Sequence, residues 1–420
     1  MVSGRLRHFL VKLHLYLALS FGLIFVLLGL TGTAIAWRDE LDALLNPDLL
    51  RASSPAQLPP DAATVQAVVA TLQADQAYGR PNGLAVPLAP DGVFVASYPI
   101  KGEKGEKGEK GGEGRSRQVM VDPATLTVRG ERIWGEPGLS RRQLMPTLFH
   151  LHRYLLSGET GKTVTGVTGM VVLVLVLAGL AIWAPRPRWH ALRQSVTVRF
   201  GGSWSRLTYT LHRAAGFFLA PVMLCTAFSG WYLNLPKWVT PIVASVMTVS
   251  PQARPSSSAP APGAKPLDAG QIVMAARAAY PDAAVTRLGF PRKPADAWEV
   301  RLRQPGELRQ DSGATRLWLD AYTGRRLGVR DPHNAAAGDT FINWMYPLHT
   351  GKAFGVPGRL FITLFGLTPL LFAVTGVLVW FKRRRGHRRH AQKEQARHVG
   401  ALPSGLPDPA AGPAAAGGRD

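Results

Sequence analysis

Four long apolar stretches constrain this chain more than any other feature of its sequence. They cover residues 13–37, 163–184, 207–235 and 360–381, and their central turns carry no charge. A helix needs about 20 apolar residues to cross a bilayer. Charged residues make up 18% of the chain, below the share of about 25% that is usual in soluble proteins. The sequence therefore predicts a membrane protein with four spanning helices rather than a soluble protein with buried helices.

The basic residues predict which side of the membrane each segment faces. Segments 1–12, 184–206 and 382–397 carry 16 Lys and Arg residues against one acidic residue. Because short basic segments stay on the cytoplasmic side, both termini are predicted to be cytoplasmic, and segments 38–162 and 236–359 to be external. These charges supply most of the formal net charge of +22. We attribute them to topology and to contact with anionic lipid, and we do not expect nucleic-acid binding.

These boundaries divide the chain into eight predicted units. They are the cytoplasmic N-terminus with the first span (1–37), the first external segment (38–162), the second span (163–184), a cytoplasmic basic loop (185–206), the third span (207–235), the second external segment (236–359), the fourth span (360–381) and a basic, largely disordered tail (382–420). The Lys-Gly-Glu repeat at 101–112 is predicted to be a flexible loop, and the Pro-rich run at 251–266 a linker. The only cysteine, Cys225, lies in the third span, so packing alone must hold the external segments together.

The two halves of the chain resemble each other at an almost constant offset. Matching pairs 198 residues apart are Leu13-His14 with Leu211-His212 and Thr31-Gly32 with Ser229-Gly230, and matches 197 residues apart are Leu151-His152 with Leu348-His349 and Gly179 with Gly376. We interpret this series as a duplicated unit of span, external segment and span. Two units of the same orientation are related by an axis along the membrane normal, which pairs the first span with the third and the second with the fourth.

The external segments have the pattern of mixed α and β structure. Residues 61–76 and 268–280 show helical spacing of apolar residues, whereas 297–303 and 315–320 resemble strands. The predicted fold is therefore that of an α-helical membrane protein. It consists of a four-helix transmembrane bundle built from a duplicated unit, with two external α+β lobes.

Two histidine pairs are the candidate functional residues. The offset matches His14 with His212, near the cytoplasmic ends of their spans, and His152 with His349, just before the second and fourth spans. Ionisable residues inside a span are functional candidates. The symmetry axis would turn each pair toward a common space, where two neutral imidazoles can supply both axial ligands of a haem iron. The sequence therefore predicts two bis-histidine haem sites, one near each membrane face.

Other interpretations of these residues stay open. Each histidine could be an interfacial residue bonded to a carbonyl or to lipid. Zinc would need about four ligands, and each pair offers two, although His150 could join the external pair or compete with His152 as a ligand. Arg153 and Arg213 each follow a proposed ligand, and either could contact a haem propionate or a lipid phosphate.

The chain resembles the PepSY-associated transmembrane family over nearly its whole length. The resemblance is carried by LHRYLL and PLHTGKAFG, before the second and fourth spans, and by WLDAYTGRRLG, with VMVDPATLTVRG as a weaker match. Within this family the chain is similar to FoxB-type di-haem inner-membrane reductases, which reduce ferric siderophores in the periplasm and release Fe(II). The resemblance implies two periplasmic PepSY-like lobes, a Gram-negative inner membrane, and two haem b groups held by His14, His212, His152 and His349. The Lys-Gly-Glu repeat departs from the family pattern.

We therefore expect a multi-pass oxidoreductase of the bacterial inner membrane that passes electrons to a ferric siderophore. The sequence shows no glycine fingerprint of a nicotinamide or flavin domain, so the expected donor is quinol or a cytoplasmic reductase. The alternative is a non-enzymatic PepSY-type protein that binds or regulates a periplasmic partner. Transport without redox chemistry ranks last, because the spans are expected to lack the broken helices and buried charges of transporters.

Overall fold

The computed structural model describes residues 4–100, 115–184, 188–251, 255–258 and 263–400, with side chains as far as residue 386 and at 392. The predicted loop at 101–112 and the final stretch 401–420 lie outside the described residues, and the linker at 251–266 lies partly outside them. The α-helices of the described residues are α1 (Gly4–Ile35), α2 (Arg38–Leu45), α3 (Pro47–Leu50), α4 (Ala62–Ala74), α5 (Arg141–Tyr154), α6 (Gly158–Trp183), α7 (Trp189–Val196), α8 (Trp204–Asn234), α9 (Pro236–Ala244), α10 (Ala269–Ala279), α11 (Ala337–Thr350), α12 (Gly355–Phe365) and α13 (Thr368–Gly400).

Four helical segments of the described chain are long and apolar enough to cross a membrane. They are α1, α6, α8 and the run Lys352–Gly386, which contains α12 and the first half of α13. The protein is therefore a membrane protein with four candidate transmembrane helices. Helix α6 packs against both α1 and α8, and the small residues along it allow the helix backbones to approach closely.

The fourth apolar run is broken between α12 and α13, so the expectation of unbroken spans is wrong here. Pro369 has no N–H to bond the carbonyl of Phe365, which interrupts the helical ladder. At the break, Gly366 lies against α1, where an added side-chain carbon would meet Thr33 and the carbonyl of Gly29. The break therefore coincides with a proline and with a close contact between two glycines.

Eight strands of the described residues form one antiparallel sheet. The strands are β1 (Gly83–Ala85), β2 (Phe94–Tyr98), β3 (Ser116–Val121), β4 (Val128–Trp134), β5 (Ala284–Gly289), β6 (Trp298–Arg303), β7 (Thr315–Leu319) and β8 (Arg326–Arg330). Their order is β4-β3-β2-β1-β5-β6-β7-β8, and β1 pairs with β5 through Leu84 and Leu288. Two lobes are predicted from the sequence, and the structure joins the strands of both segments in one sheet. This pairing removes two exposed strand edges.

Helices α4 and α10 cover one face of the sheet and match the helices predicted at 61–76 and 268–280. Each begins at an aspartate whose side chain accepts a backbone N–H, Asp61 from Thr64 at 2.7 Å and Asp268 from Gln271 at 2.8 Å. Such a cap contributes about 1 kcal/mol to helix stability. The helices and the sheet enclose one apolar core that includes the fully buried side chains Leu72, Phe94, Ile272, Leu288, Trp298 and Leu317.

The sheet lies at one end of the helical bundle, which we call the sheet end, and the opposite end is the far end. The two parts are tied together by ion pairs that involve the fourth apolar run. Arg359 bonds the carbonyl of Ala36 at 2.8 Å and a carboxylate oxygen of Glu40 at 2.7 Å. Lys352 lies 3.2 Å from Asp311, in the loop between β6 and β7. The Lys352–Asp311 pair joins the segment after α11 to the sheet, whereas Arg359 joins α12 to the end of α1 and to α2.

Candidate functional site

The structure brings the four predicted histidines together as two pairs. At the far end, the rings of His14 on α1 and His212 on α8 have centroids 6.5 Å apart and planes at 82°. At the sheet end, His152 on α5 and His349 on α11 have centroids 6.3 Å apart and planes at 62°. We call these the far-end pair and the sheet-end pair. In each pair, one imidazole comes from each half of the chain.

In the sheet-end pair, each Nδ1 is bonded to a hydroxyl on a neighbouring helix. Thr31 Oγ1 lies 3.1 Å from Nδ1 of His152, and Ser229 Oγ lies 3.0 Å from Nδ1 of His349. Each hydroxyl already donates its hydrogen, at 2.7 Å, to the carbonyl four residues earlier in its own helix. The hydroxyl oxygens therefore accept, and Nδ1–H of each imidazole donates. His349 Nδ1 also lies 3.1 Å from the carbonyl oxygen of Thr226.

The far-end pair is held in the same way, with one difference. Thr375 Oγ1 lies 2.8 Å from Nδ1 of His212 and donates its own hydrogen to a carbonyl of α13 at 2.7 Å. His14 instead donates from Nδ1 to the carbonyl oxygen of Leu175, at 3.0 Å. Ala178 stands where the offset of 197 would place the counterpart of Thr375, so a backbone carbonyl takes the place of the missing hydroxyl.

These hydrogen bonds select one tautomer of all four imidazoles. A neutral imidazole carries its hydrogen on one ring nitrogen only. Because Nδ1 carries it in each case, Nε2 keeps a lone pair that is available to bind a metal. Fixing a ligand histidine through its other nitrogen is the usual arrangement around metals. Burial lowers the pKa of His152 to about 3 and also lowers the pKa of His349, so both side chains on α5 and α11 are neutral at pH 7.

Each imidazole also packs against a glycine on a neighbouring helix. A side-chain carbon placed at these glycines would lie 3.1–3.5 Å from Cε1 of the ring. The contacts are Gly32 with His152, Gly230 with His349, Gly179 with His14, and Gly376 with His212. In three cases the residue before the glycine is the one whose hydroxyl accepts the Nδ1 hydrogen bond. The dipeptides Thr31-Gly32, Ser229-Gly230 and Thr375-Gly376 therefore act as units that orient one imidazole each.

The separation of the rings suits a single metal ion between them. A metal–imidazole bond is about 2.0–2.1 Å long, and the centre of the ring lies about 1.15 Å from each ring atom, so two imidazoles on opposite sides of one metal have centroids about 6.4 Å apart. The observed separations are 6.3 and 6.5 Å. Among the residues that the structure describes, no group of three or more His, Cys, Asp or Glu side chains could hold a metal. Two-ligand coordination, as in bis-histidine haem, therefore fits these sites better than tetrahedral zinc does.

His150 does not join the sheet-end pair. It lies two residues from His152 on α5, and its side chain is buried against other rings. Its centroid is 5.1 Å from that of Tyr154 and 6.1 Å from that of Trp134. Burial, together with the charges of Arg115 and Arg153, lowers the pKa of His150 to about 4. The possible third ligand is thus a neutral core histidine.

The two arginines that follow proposed ligands have unused hydrogen-bonding capacity. Arg153 donates to the carbonyl of Leu233 at 3.3 Å, and Arg213 donates to the carbonyl of Gln194. In both side chains Nε is buried and has no hydrogen-bond partner within the described residues. Each arginine could therefore bond a further acceptor, such as a carboxylate, beside its histidine.

The two pairs are equally spaced along both helices that they share. On α1, 17 residues separate His14 from Thr31, the partner of His152, and on α8, 17 residues separate His212 from Ser229. At a rise of 1.5 Å per residue this spacing is about 26 Å along each helix axis. An apolar core that includes Phe365 lies between them. The pairs therefore lie near opposite ends of the bundle.

Sequence reasoning found the histidines but missed the residues that orient them. The offset does match Thr31-Gly32 with Ser229-Gly230, and Gly179 with Gly376. That signal was available, but it gave no indication of what the matched residues contact. The carbonyl of Leu175 carries no side-chain signal, so only the structure could place it beside His14.

The fold and the site together define a multi-span membrane protein with paired buried histidines and an α+β region at one end of its bundle. The family model of the PepSY-associated TM region matches residues 11–383. The chain belongs to this family. A search of curated proteins found no match.

Proposed function

We propose that this protein is a di-haem b electron carrier of the bacterial inner membrane that reduces a ferric siderophore in the periplasm for iron uptake. One observation carries the proposal: Nδ1 of all four paired histidines lies within hydrogen-bond distance of an acceptor oxygen, which leaves the lone pair on Nε2. In each pair, two imidazoles therefore present Nε2 lone pairs that can bind one metal. The chain belongs to the PepSY-associated TM family and resembles the di-haem reductases within it, which supports the same conclusion.

In this proposal His14 and His212 hold one haem b, and His152 and His349 hold the other. Bound haem would supply one-electron exchange between Fe(II) and Fe(III). The protein keeps the four imidazoles neutral and in fixed orientation, and its apolar helices keep water away. Arg153 and Arg213 have a free Nε each, which suits the carboxylates of a haem edge.

The charges at the two ends of the bundle support an orientation for the proposed electron flow. The basic segments at 184–206 and 382–397 favour a cytoplasmic far end, which leaves the sheet end in the periplasm. Each ferric ion accepts one electron at the sheet end and leaves as Fe(II). Quinol or a cytoplasmic reductase replaces that electron at the far end.

We also infer that the chain arose by duplication of one unit. Each half contributes long apolar helices, four of the strands in the described residues, and one imidazole to each pair. The paired strands β1 and β5 are the first strands of their halves. This arrangement follows directly if the two units are related by an axis along the membrane normal.

The spectrum of the purified protein tests the proposal. We expect paired Soret and α bands on reduction, and extraction should yield two haem b per chain. His349→Ala should remove about half of the haem and stop the release of Fe(II) from a ferric siderophore, measured with an Fe(II)-specific chelator. His333→Ala is the matched control, because His333 is an exposed residue of the same segment.

A colourless protein would reject the haem proposal. If the His349→Ala protein also behaved like wild type, the alternative function would be favoured. In that case the sheet would bind or regulate a periplasmic partner without enzymatic activity.

A further inference from the structure

Four arginines lie side by side across the second half of the sheet. In the strand register, Arg287 on β5 lies opposite Arg301 on β6, Arg301 lies opposite Arg316 on β7, and Arg316 lies opposite Arg330 on β8. Residues directly opposite each other in an antiparallel sheet share one face. Neighbouring strands are about 4.8 Å apart, so the four side chains span about 14 Å. We call this set the arginine row.

The same row of the first half of the sheet is apolar. From Arg287 it continues through Ala85, Val95, Met120 and Gly130. There the face is closed by Leu49 of α3, which forms a small buried core with Met120. This apolar stretch continues the row but is not its equivalent by the offset of 198, which matches Arg316 and Arg330 with Gln118 and Arg132. The positive charge of the row is thus concentrated in the second half of the sheet.

The arginine row is unfavourable for folding unless something compensates it. Like charges directly opposite each other destabilise a sheet. Burial, with the charges of Arg316, Arg309 and Arg287, lowers the pKa of Arg301 to about 10. Glu299 supplies one nearby carboxylate, 3.8 Å from Arg316. Asp311, paired with Arg309, and Asp339, near Tyr232 with Arg316 and Arg330, add two more. The five guanidinium groups named here outnumber these three carboxylates.

The arginine row faces the sheet end of the bundle and not α4 and α10. The residues next to it in each strand, Leu288, Val300 and Leu317, point into the core beneath those helices, so the arginines point the other way. Arg316 and Arg330 lie close enough to Tyr232, at the end of α8, to interact electrostatically.

Two series of contacts link this surface with the helices of the sheet-end pair. Tyr232 lies two residues from Gly230, and Gly230 packs against His349. The guanidinium of Arg309, next to the row, lies 4.3 Å from the ring centroid of Tyr346. Tyr346 is one helical turn before His349 on α11. The arginine row therefore lies on the face of the sheet toward α8 and α11, the two helices that supply Ser229 and His349 of the sheet-end pair.

We propose that the arginine row binds a multiply charged anion, and that this anion is a ferric polycarboxylate chelate. Guanidinium groups bind carboxylates through two parallel hydrogen bonds, and a row about 14 Å long can engage several carboxylates of one chelate. An anion at this place compensates the repulsion between the four side chains. The inference rests on the proposed function only for the reduction of the bound Fe(III).

Binding of a redox-inert chelate tests the inference without electron transfer. We expect Ga(III) citrate to bind the purified full-length protein in titration calorimetry, with an affinity that falls steeply as salt rises. Arg301→Gln combined with Arg316→Gln should weaken binding at least tenfold. Arg325→Gln, at an exposed turn residue outside the row, should leave it unchanged. The affinity for a positively charged Ga(III) hydroxamate chelate should not depend on the arginine row.

Equal affinity of wild type and the double variant for Ga(III) citrate would overturn the inference. The haem spectrum, recorded on the same samples, separates the two proposals. A protein that contains haem but binds the chelate independently of the row would support the proposed function and reject the anion site. A colourless protein that binds the chelate through the row would support the anion site and reject the proposed function. The melting temperature of the variant protein shows whether it is folded. Arg316→Lys is a second, milder change that keeps the positive charge.

Discussion

The hydroxyl of Thr375 accepts a hydrogen bond from Nδ1 of His212 at 2.8 Å while it donates its own hydrogen within α13. It therefore fixes both the orientation of the ring and the position of its hydrogen. Equivalent contacts join Thr31 to His152 and Ser229 to His349. The same hydroxyl–imidazole contact thus occurs in both pairs.

Thr375→Val removes this acceptor at nearly constant volume. Loss of such a contact to a ligand histidine typically costs 10–100-fold in metal affinity. We expect the far-end haem to dissociate about that much more readily, as measured by transfer to an apo-myoglobin acceptor. Thr375→Ser keeps the hydroxyl and should behave like wild type. Equal haem retention in the valine and wild-type proteins would show that the hydrogen bond has no role in holding haem.

Gly230→Val should disturb the sheet-end pair. A side-chain carbon at Gly230 would lie 3.2 Å from Cε1 of His349, and the two methyl groups of valine need more space. We expect about half of the haem absorbance to be lost. Gly22→Val is the control, because nothing lies within 4 Å of a side-chain carbon at Gly22. Full haem content in the Gly230 variant would mean that the ring does not need this close contact.

His14→Ala separates electron entry from electron delivery. Protein that has been reduced and freed of reductant should give two electrons per chain to a ferric siderophore in wild type, but only one in the variant. Turnover with a quinol donor should fall at least tenfold, because the far-end pair no longer receives electrons. Stopped-flow absorbance measures the first quantity and an Fe(II) chelator assay the second. Two electrons from the variant would argue against a haem at the far-end pair.

The hydrogen bonds to Asp320 predict that the folded protein loses stability in acid. Burial alone would raise its pKa, but hydrogen bonds from Ser258 and from the backbone N–H groups of Thr323 and Tyr322 lower the pKa well below the ordinary value. The stabilisation is therefore complete above the ordinary carboxyl pKa of about 3.9 and is lost as the pH falls further. Asp320→Asn should lower stability by about 1.5–3 kcal/mol at pH 7, the usual contribution of a hydrogen bond to a charged group.

The pH dependence supplies the check on this interpretation. Thermal melting should show a clear difference between Asp320→Asn and wild type at pH 7 and a smaller one at pH 3, where the carboxyl group is mostly protonated in the unfolded chain but still charged in the folded protein. Asp282→Asn is a control, because Asp282 is an exposed residue of the same sheet region. A difference that is constant from pH 7 to pH 3 would exclude the charge of Asp320 as its cause.

The spans and histidine pairs could be predicted because their signals are local or repeated. Hydropathy locates apolar helices, and the constant offset matches His14 with His212 and His152 with His349. The joining of β1 to β5 could not be predicted, since Leu84 and Leu288 are far apart in sequence and no pattern within either strand names its partner. The arginine row was missed for the same reason: its members become neighbours only through the strand register. The break at Gly366 depends on a contact with α1, which hydropathy does not record.

The pairing of β1 with β5 has a consequence for biosynthesis. Strand β1 must wait for about 200 further residues to leave the ribosome before its partner exists, a delay of about 10–40 s at normal rates of translation. During that interval Leu84 and its neighbours present an unpaired edge that other nascent chains can join. Until β5 is made, this edge is therefore the part of the sheet most open to aggregation on the side of the membrane where the sheet forms.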